Sequence, residues 1–289
     1  MPPRFPLIYT ALAAVSFALM AFSAKLAAAT LPGDEIAFLR FTLMLLPFLV
    51  LPRLARRAVT FERLDLLVYR GLFGGLAVLL YFLALEHIPV GTATLLTYSS
   101  PIFSVLFAAL FLGERVRRWV IPPAALAFLG VILVTGGLAS GGLFAHFSRW
   151  EAAGLASAVL SGASVAAIRA ARRTESSWAI YGSFTLFGLL TTAPTGIYHF
   201  RAPNGREWLA LLGVGLSSIA AQLWMTYAYR WVTNVQAGAM SQVTVLISFG
   251  LGALFLAEPF GWEQAVGCLL TLAGILGVVW VQTTPRALE

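Results

Sequence analysis

The segments Ala109 to Glu114 (ALFLGE) and Ala253 to Glu258 (ALFLAE) are nearly identical and lie 144 residues apart in a chain of 289. The offset holds without gaps over most of the length: Gly71 falls on Gly215, Leu79 on Leu223, Ala84 on Ala228, Ala93 on Ala237, Gly130 on Gly274 and Lys25 on Arg169. A repeat this long exceeds the periods of soluble solenoids, so the chain reads as one half-protein written twice, residues 1–144 and 145–289. Any fold it adopts uses one architecture two times.

Composition decides which architecture. Hydrophobic residues make up 60% of the chain and charged residues 11%, where a soluble domain carries roughly a quarter charged residues. Such a chain cannot cover itself with polar surface and needs lipid. Ten apolar runs approach the roughly 20 residues that cross a hydrocarbon core. They are Leu7 to Ala28, Glu35 to Pro52, Leu64 to Leu85, Val90 to Leu112, Trp119 to Ala139, Glu151 to Arg169, Trp178 to Tyr198, Trp208 to Tyr229, Val235 to Ala257 and Trp262 to Gln282. Strand alternation is absent, and backbone groups in lipid must be satisfied within the chain, so the expected fold is an all-α integral membrane protein with ten transmembrane helices. Five spans per half is an odd number. The second half therefore enters from the opposite side, giving two inverted five-helix repeats about a pseudo-two-fold axis in the membrane plane, a plan common among secondary transporters.

The cations orient this plan. With both termini in the cytoplasm, fourteen arginines (4, 53, 56, 57, 63, 70, 115, 117, 118, 169, 172, 173, 230 and 286) collect at inner ends, against five cations outside, Lys25, Arg40, Arg149, Arg201 and Arg206. The net charge of +7 then follows from topology. Its arginines lie scattered in short loops and form no single basic face, so no nucleic-acid partner is expected. The first apolar run lacks a cleavage site in a polar setting and reads as a retained span.

Several chemistries drop out. Cys268 is the only cysteine, which excludes an internal disulfide and a cysteine metal site. His87, His146 and His199 are scattered without ligand spacing, so no metal is expected. No Gly-rich loop leads into a Lys-Ser or Lys-Thr pair, so the chain is no self-contained ATP-driven pump, and no cofactor is expected. The loops offer no cluster of His, Asp or Ser for a membrane enzyme.

Each half ends its fourth span with an apolar run into Gly-Glu or Ala-Glu (Leu112, Gly113, Glu114; Leu256, Ala257, Glu258). A span with a central small residue follows (Leu129, Gly130, Val131; Ala273, Gly274, Ile275). With two five-span halves, this resembles the drug/metabolite transporter superfamily, specifically the EamA-type exporters, over essentially the whole chain. In overall texture it is most similar to bacterial exporters of aromatic amino acids. The resemblance implies a multi-pass protein of the bacterial inner membrane, small-molecule substrates, no enzymatic activity, and a pathway between the third, fourth, eighth and ninth spans with the fifth and tenth peripheral. A monomer is the working expectation.

Polar side chains concentrate in those central spans. In the fourth, Thr94, Thr97, Tyr98 and Pro101 share one helical face by i, i+3, i+4 and i+7 spacing. Pro101 has no amide proton for the Thr97 carbonyl, which can then bind a substrate amine or merely bend the helix. Ser241 and Gln242 are their repeat mates in the ninth span, beside Asn234, Gln236, Met240 and Thr244. An amide at that depth either contacts substrate or bonds another helix. Tyr81, Gln222 and Trp224 lie too deep for an interfacial belt, and Trp224, Tyr81 and Tyr98 can stack on an aromatic ring or on each other. Lys25, the only lysine, either meets a substrate carboxylate or snorkels to the outer headgroups, and snorkelling needs no partner. The candidate substrate-binding set is Tyr81, Thr94, Thr97, Tyr98, Pro101, Gln222, Trp224, Ser241, Gln242 and Lys25.

All acidic residues fall in loops or at span ends, which argues against a conventional proton antiport site and for facilitated efflux by alternating access. Proton coupling, with Glu86 or Glu114 as the relay, is the alternative, and a channel-like pore is another. Multiply charged solutes are disfavoured because few cations are expected inside the membrane, which leaves neutral or zwitterionic solutes such as aromatic amino acids. Gly71, Gly74, Gly75, Gly213 and Gly215 permit close helix contact that can slide, so Gly75→Leu is expected to slow transport with the fold intact.

Overall fold

The computed structural model describes residues 6–59, 61–113, 117–135, 147–228 and 234–283. Among these there is no strand. The helices are α1 (Pro6–Ala27), α2 (Gly33–Leu43), α3 (Leu46–Val50), α4 (Pro52–Ala58), α5 (Leu64–His87), α6 (Val90–Thr97), α7 (Ser100–Leu112), α8 (Ile121–Val134, entered by a 3-10 turn), α9 (Arg149–Ala171), α10 (Ser177–Tyr198), α11 (Gly205–Ala228), α12 (Asn234–Phe255) and α13 (Trp262–Thr283). The expected boundary at 144/145 lies outside the described residues, as do Glu114, His146 and both chain ends.

Ten spans were expected. By length and apolarity six described stretches qualify, Ile8–Ala27, Leu64–His87, Val90–Phe107, Arg149–Ile168, Gly205–Ala228 and Trp262–Val281, with Gly33–Val50 plus Pro52–Ala58, bent by 112°, as a seventh if taken as one. The difference has local causes. The second expected span breaks before Leu46 and again at Pro52, while Arg118–Val134 and Ser241–Phe255 are apolar but short. α10 is diluted by hydroxyls that turn back on its own backbone: Ser183 donates to the Ile180 carbonyl, Thr185 to Tyr181 and Thr192 to Gly188.

Repeat-equivalent helices pack antiparallel. On α8 and α13, Gly130 faces Gly267 and Thr271 whereas Gly274 faces Pro123 and Ala127. On α6 and α12, Gly91 faces Phe249 and Tyr98 faces Gln242. On α2 and α10, Phe38 faces Gly196 and Phe41 faces Gly188. At each crossing one residue touches its own mate, 144 positions on. The Arg40 guanidinium lies 5.5 Å from the Phe184 ring, Gln242 Nε2 lies 3.4 Å from the Tyr98 carbonyl, and the Thr271 hydroxyl lies 3.4 Å from the Ala127 carbonyl. Mates meet only near a symmetry axis, so one pseudo-two-fold axis crosses the helices through all three pairs. The halves also interlock: α1 packs on α11 and α9 on α5. Outward faces carry exposed leucines, among them Leu12, Leu19, Leu76, Leu190, Leu216 and Leu269, a surface suited to lipid.

The repeated hexamer is a helix stop. Gly113 and its mate Ala257 both take left-handed backbone, with φ of 65° and 51°. Glycine does this at no steric cost, whereas alanine gives up about 1–2 kcal/mol. In the second copy the turn delivers Glu258 to the other half of the protein.

The glycines of α5 are tighter than a sliding surface. A Cβ on Gly75 would lie 2.3 Å from Thr191 Oγ1 and 2.7 Å from Gly188 Cα. Gly75→Leu therefore does not leave the fold intact, contrary to the sequence expectation. It should destabilise the protein by about 1–3 kcal/mol or more, lowering the midpoint of thermal unfolding in detergent. Gly205→Leu, where a Cβ meets nothing within 4 Å, should stay within about 0.5 kcal/mol of the parent.

Candidate functional site

Around the axis the helices part to leave a cavity of about 270 Å³. Its walls come from Thr10 to Met20 of α1, Arg70 to Phe82 of α5, Ser157 to Ile168 of α9, and Gln222 and Met225 of α11, with Arg40, Phe184, Ser241, Thr244, Val279 and the α6–α7 break completing it. Because α1 runs against α11 and α5 against α9, these segments share one end of the bundle. The wall is apolar with hydroxyls set into it, and no carboxylate belongs to it among the described residues.

Two buried arginines dominate the cavity. Arg40 is 1% exposed; its Nε donates to Ser218 Oγ at 2.8 Å, and its Nη1 is buried without a hydrogen-bond partner. Its guanidinium lies 4.8 Å from the Phe41 ring and 5.5 Å from that of Phe184. Arg70 is 5% exposed and sits over the same Phe184 ring, 4.0 Å from its centroid. Its Nη1 donates to Ser164 Oγ at 2.6 Å, and that hydroxyl donates to the Arg70 carbonyl at 2.9 Å, clasping both ends of the residue. Gly74 makes the room: a Cβ there would lie 2.9 Å from the Phe184 ring and 2.1 Å from Arg70 Nη1. Burying a guanidinium costs several kcal/mol. Ring faces and single hydroxyls recover part of that, and an anion in the cavity recovers more.

Sequence reasoning missed both arginines by counting Arg40 as an outer-end and Arg70 as an inner-end charge. Each interrupts an apolar run (AFLRFTL, VYRGLFGG), and that was the available signal. Also missed was a hydroxyl stripe on α9, Ser157, Ser161 and Ser164, at i, i+4 and i+7. The resemblance implied a pathway between four central spans; α1, α2, α9 and α10 contribute to the wall as well.

Of the expected set, Tyr81, Thr97, Tyr98, Pro101, Gln222 and Ser241 line the cavity. Pro101 follows a break between α6 and α7, while its mate Val245 lies in unbroken α12. Thr94 is buried behind the wall; its hydroxyl donates to the Val90 carbonyl at 2.7 Å and accepts the Tyr81 hydroxyl at 2.9 Å. Gln242 makes the interhelical bond, Nε2 to the Tyr98 carbonyl, and a 3.1 Å bond to Ser241 Oγ. Trp224 is not among the residues that line the cavity: its ring lies tilted by 35° against that of Tyr9, with centroids 5.5 Å apart, and it is 36% exposed. Two residues beyond Gln222 on a helix, it points about 200° away from that wall. The side chains of Asn234, Gln236 and Met240 lie outside what is described.

Lys25 is not among the residues that line the cavity. Its Nζ donates to the Leu85 and Ile88 carbonyls, both at 2.8 Å, where the last turn of α5 leaves carbonyls and partial negative charge unsatisfied. Carboxylates close the same end. Glu86 accepts the Gly33 amide at 2.7 Å, at the start of α2, and Glu258 accepts the Val90 amide through both oxygens at 3.0 and 2.9 Å, at the start of α6. Burial pushes the Glu258 carboxyl above the usual carboxylate range, while the Val90 amide and the Lys25 charge pull it back. Glu258→Ala should cost about 1–2 kcal/mol by uncapping α6, read as a lower unfolding midpoint in detergent; Glu258→Gln keeps an acceptor and should lose less.

Comparison with known proteins places this geometry. Residues 4–136 and 148–280 each match the EamA-like transporter family, two matches separated by the same 144-residue offset. The chain is 31% identical to the pseudopaline exporter of Pseudomonas aeruginosa, over 93% of this chain and 91% of that one. It is 31% identical to the aromatic amino acid exporter of Ancylobacter novellus, over 67% and 68% of the two chains. It is also 32% identical to a probable terminal-alkyne amino-acid exporter of Streptantibioticus cattleyicolor, over 66% and 64%. A solved crystal structure, 24% identical, shares the fold with a TM-score of 0.64 over 96% of both chains. The chain belongs to the EamA-like transporter family and is a multi-pass membrane transporter, not an enzyme.

Proposed function

We propose that this transporter exports amino-acid-type carboxylates from the cytoplasm by facilitated alternating access. The observation that carries the reading is Arg40, a buried cation facing the cavity with one nitrogen unbonded and no carboxylate among the described wall residues. A substrate carboxylate supplies the missing acceptor, and Phe17, Tyr81, Tyr98 and Phe82 form the apolar surface for its side chain. The names of the relatives, which export pseudopaline, aromatic amino acids and terminal-alkyne amino acids, support the class.

In this reading ten helices cross a bacterial inner membrane as two inverted five-helix repeats, divided near residues 144 and 145, with both termini in the cytoplasm. The antiparallel packing of repeat mates supports the inversion, and the arginine bias supports the orientation even without the buried Arg40 and Arg70. The cavity then opens toward the cytoplasm, and the end tied by Lys25, Glu86 and Glu258 is the closed periplasmic side. The lack of a carboxylate among the described wall residues favours a facilitative cycle. A proton-coupled cycle would draw on Glu35, buried at the start of α2.

In proteoliposomes, counterflow of labelled phenylalanine should fall about tenfold or more in Arg40→Gln, the loss of a hydrogen bond to a charged group, with partial recovery in Arg40→Lys. Equal flux in well-inserted Arg40→Gln would overturn the reading. A flux that follows an imposed pH gradient and loses that dependence in Glu35→Gln would replace facilitation with proton coupling.

A further inference from the structure

Resting on the export reading above, we infer that the break between α6 and α7 binds the substrate's ammonium group, so that the solutes carried are amino acids with a free amine and not carboxylic acids at large. A helix ends with its last carbonyls short of intrahelical partners. At the end of α6 all but one of these find a donor. The Thr94 carbonyl accepts the Tyr98 amide at 2.8 Å, that of Leu95 the Ser99 hydroxyl at 3.0 Å, and that of Leu96 the Ser99 amide at 3.2 Å. For the Thr97 carbonyl the donor would be Pro101, which has no N–H. Nearby hydroxyls do not replace it: Ser104 turns to the Pro101 carbonyl at 2.9 Å, and Thr97 turns its own to Ser157 Oγ at 3.4 Å. Among the described residues no hydrogen bond reaches the Thr97 carbonyl. Thr97 is buried, and a buried carbonyl without a donor is costly.

A primary ammonium suits this acceptor. It carries three donors and a positive charge, and the C-terminal end of a helix presents carbonyls with partial negative charge. Hydroxyl oxygens supply the remaining acceptors. Ser157 donates its proton to the Ala77 carbonyl at 2.7 Å, which leaves its oxygen to accept, and Ser161 lies one turn along α9. Thr97, Tyr98, Ser100 and Pro101 line the same cavity as Arg40. With the carboxylate on Arg40 and the ammonium at the break, one cavity holds both ends of a zwitterion. An acylated amine has one donor and no charge, and fits poorly. Pro101 is the positioning residue: it acts by withholding an N–H from the Thr97 carbonyl, which its repeat mate Val245, in unbroken α12, does not do.

The test uses the full chain in proteoliposomes and measures how much unlabelled phenylalanine, hydrocinnamate (the same skeleton without the amine) or N-acetylphenylalanine halves the counterflow of labelled phenylalanine. For the parent protein phenylalanine should act at a concentration about tenfold or more below either analogue, a difference of about 1.4 kcal/mol. Pro101→Ala gives the Thr97 carbonyl a donor and should bring the three to within about twofold, chiefly by weakening phenylalanine. Replacing Pro101 by the α-hydroxy-acid counterpart of alanine removes the ring but brings no N–H, and should keep the preference. Equal action of the three compounds on the parent protein, or an undiminished preference in Pro101→Ala, overturns the inference, while Arg40-dependent phenylalanine flux leaves the export reading standing. Loss of the preference in the hydroxy-acid variant also overturns it, because the bend and not the open carbonyl would then be responsible. If Pro101→Ala fails to insert, the parent ratio alone decides. If no amino acid moves at all, both fall together.

Discussion

Three contacts between a residue and its own repeat mate hold the two halves in register: Arg40 on Phe184, Tyr98 on Gln242 and Ala127 on Thr271. They require repeat-equivalent helices to run antiparallel and to approach closely, which glycine permits at Gly130 and Gly274, where any Cβ would meet backbone at 2.4 Å. The exchange of α1 and α9 between halves follows from the same symmetry. Neither half could bury its first helix without the other.

Symmetry of backbone coexists with asymmetry of side chain, and the chemistry lies in the asymmetry. At one crossing duplication left a cation opposite an aromatic ring, which is how a positive charge comes to rest near the middle of an apolar bundle. At another, Pro101 interrupts the helix in one half while Val245 leaves its mate continuous. The cavity is confined to one end by the same means: small and hydroxyl side chains open it there, whereas at the other end Lys25, Glu86 and Glu258 satisfy helix ends across elements. Disrupting those caps exposes helix-terminal backbone groups, so parting that end carries an energetic cost.

Much of this was legible in the sequence. The 144-residue offset and the lack of charge disclosed two helical halves, and the polar face of Thr97, Tyr98 and Pro101 pointed to the cavity. Arg40 and Arg70 were misread because a count of basic residues cannot tell a headgroup arginine from one held between rings; the distinction depends on Phe184, distant in sequence from both. The bonds of Lys25 were not legible because its acceptors are backbone carbonyls at the end of α5, which no side-chain pattern announces. Trp224 failed for a simpler reason: depth was inferred for it, but the face it occupies was not compared with that of Gln222.

The inverted relation of the halves is tested most directly at Thr30 and Thr174, exposed repeat mates that follow α1 and α9. Single cysteines placed there, with Cys268 replaced by serine, can be labelled in intact cells with a membrane-impermeant thiol reagent. The account predicts that the cysteine at position 30 reacts from outside and the one at 174 only after permeabilisation. Reaction of both from the same side would contradict it.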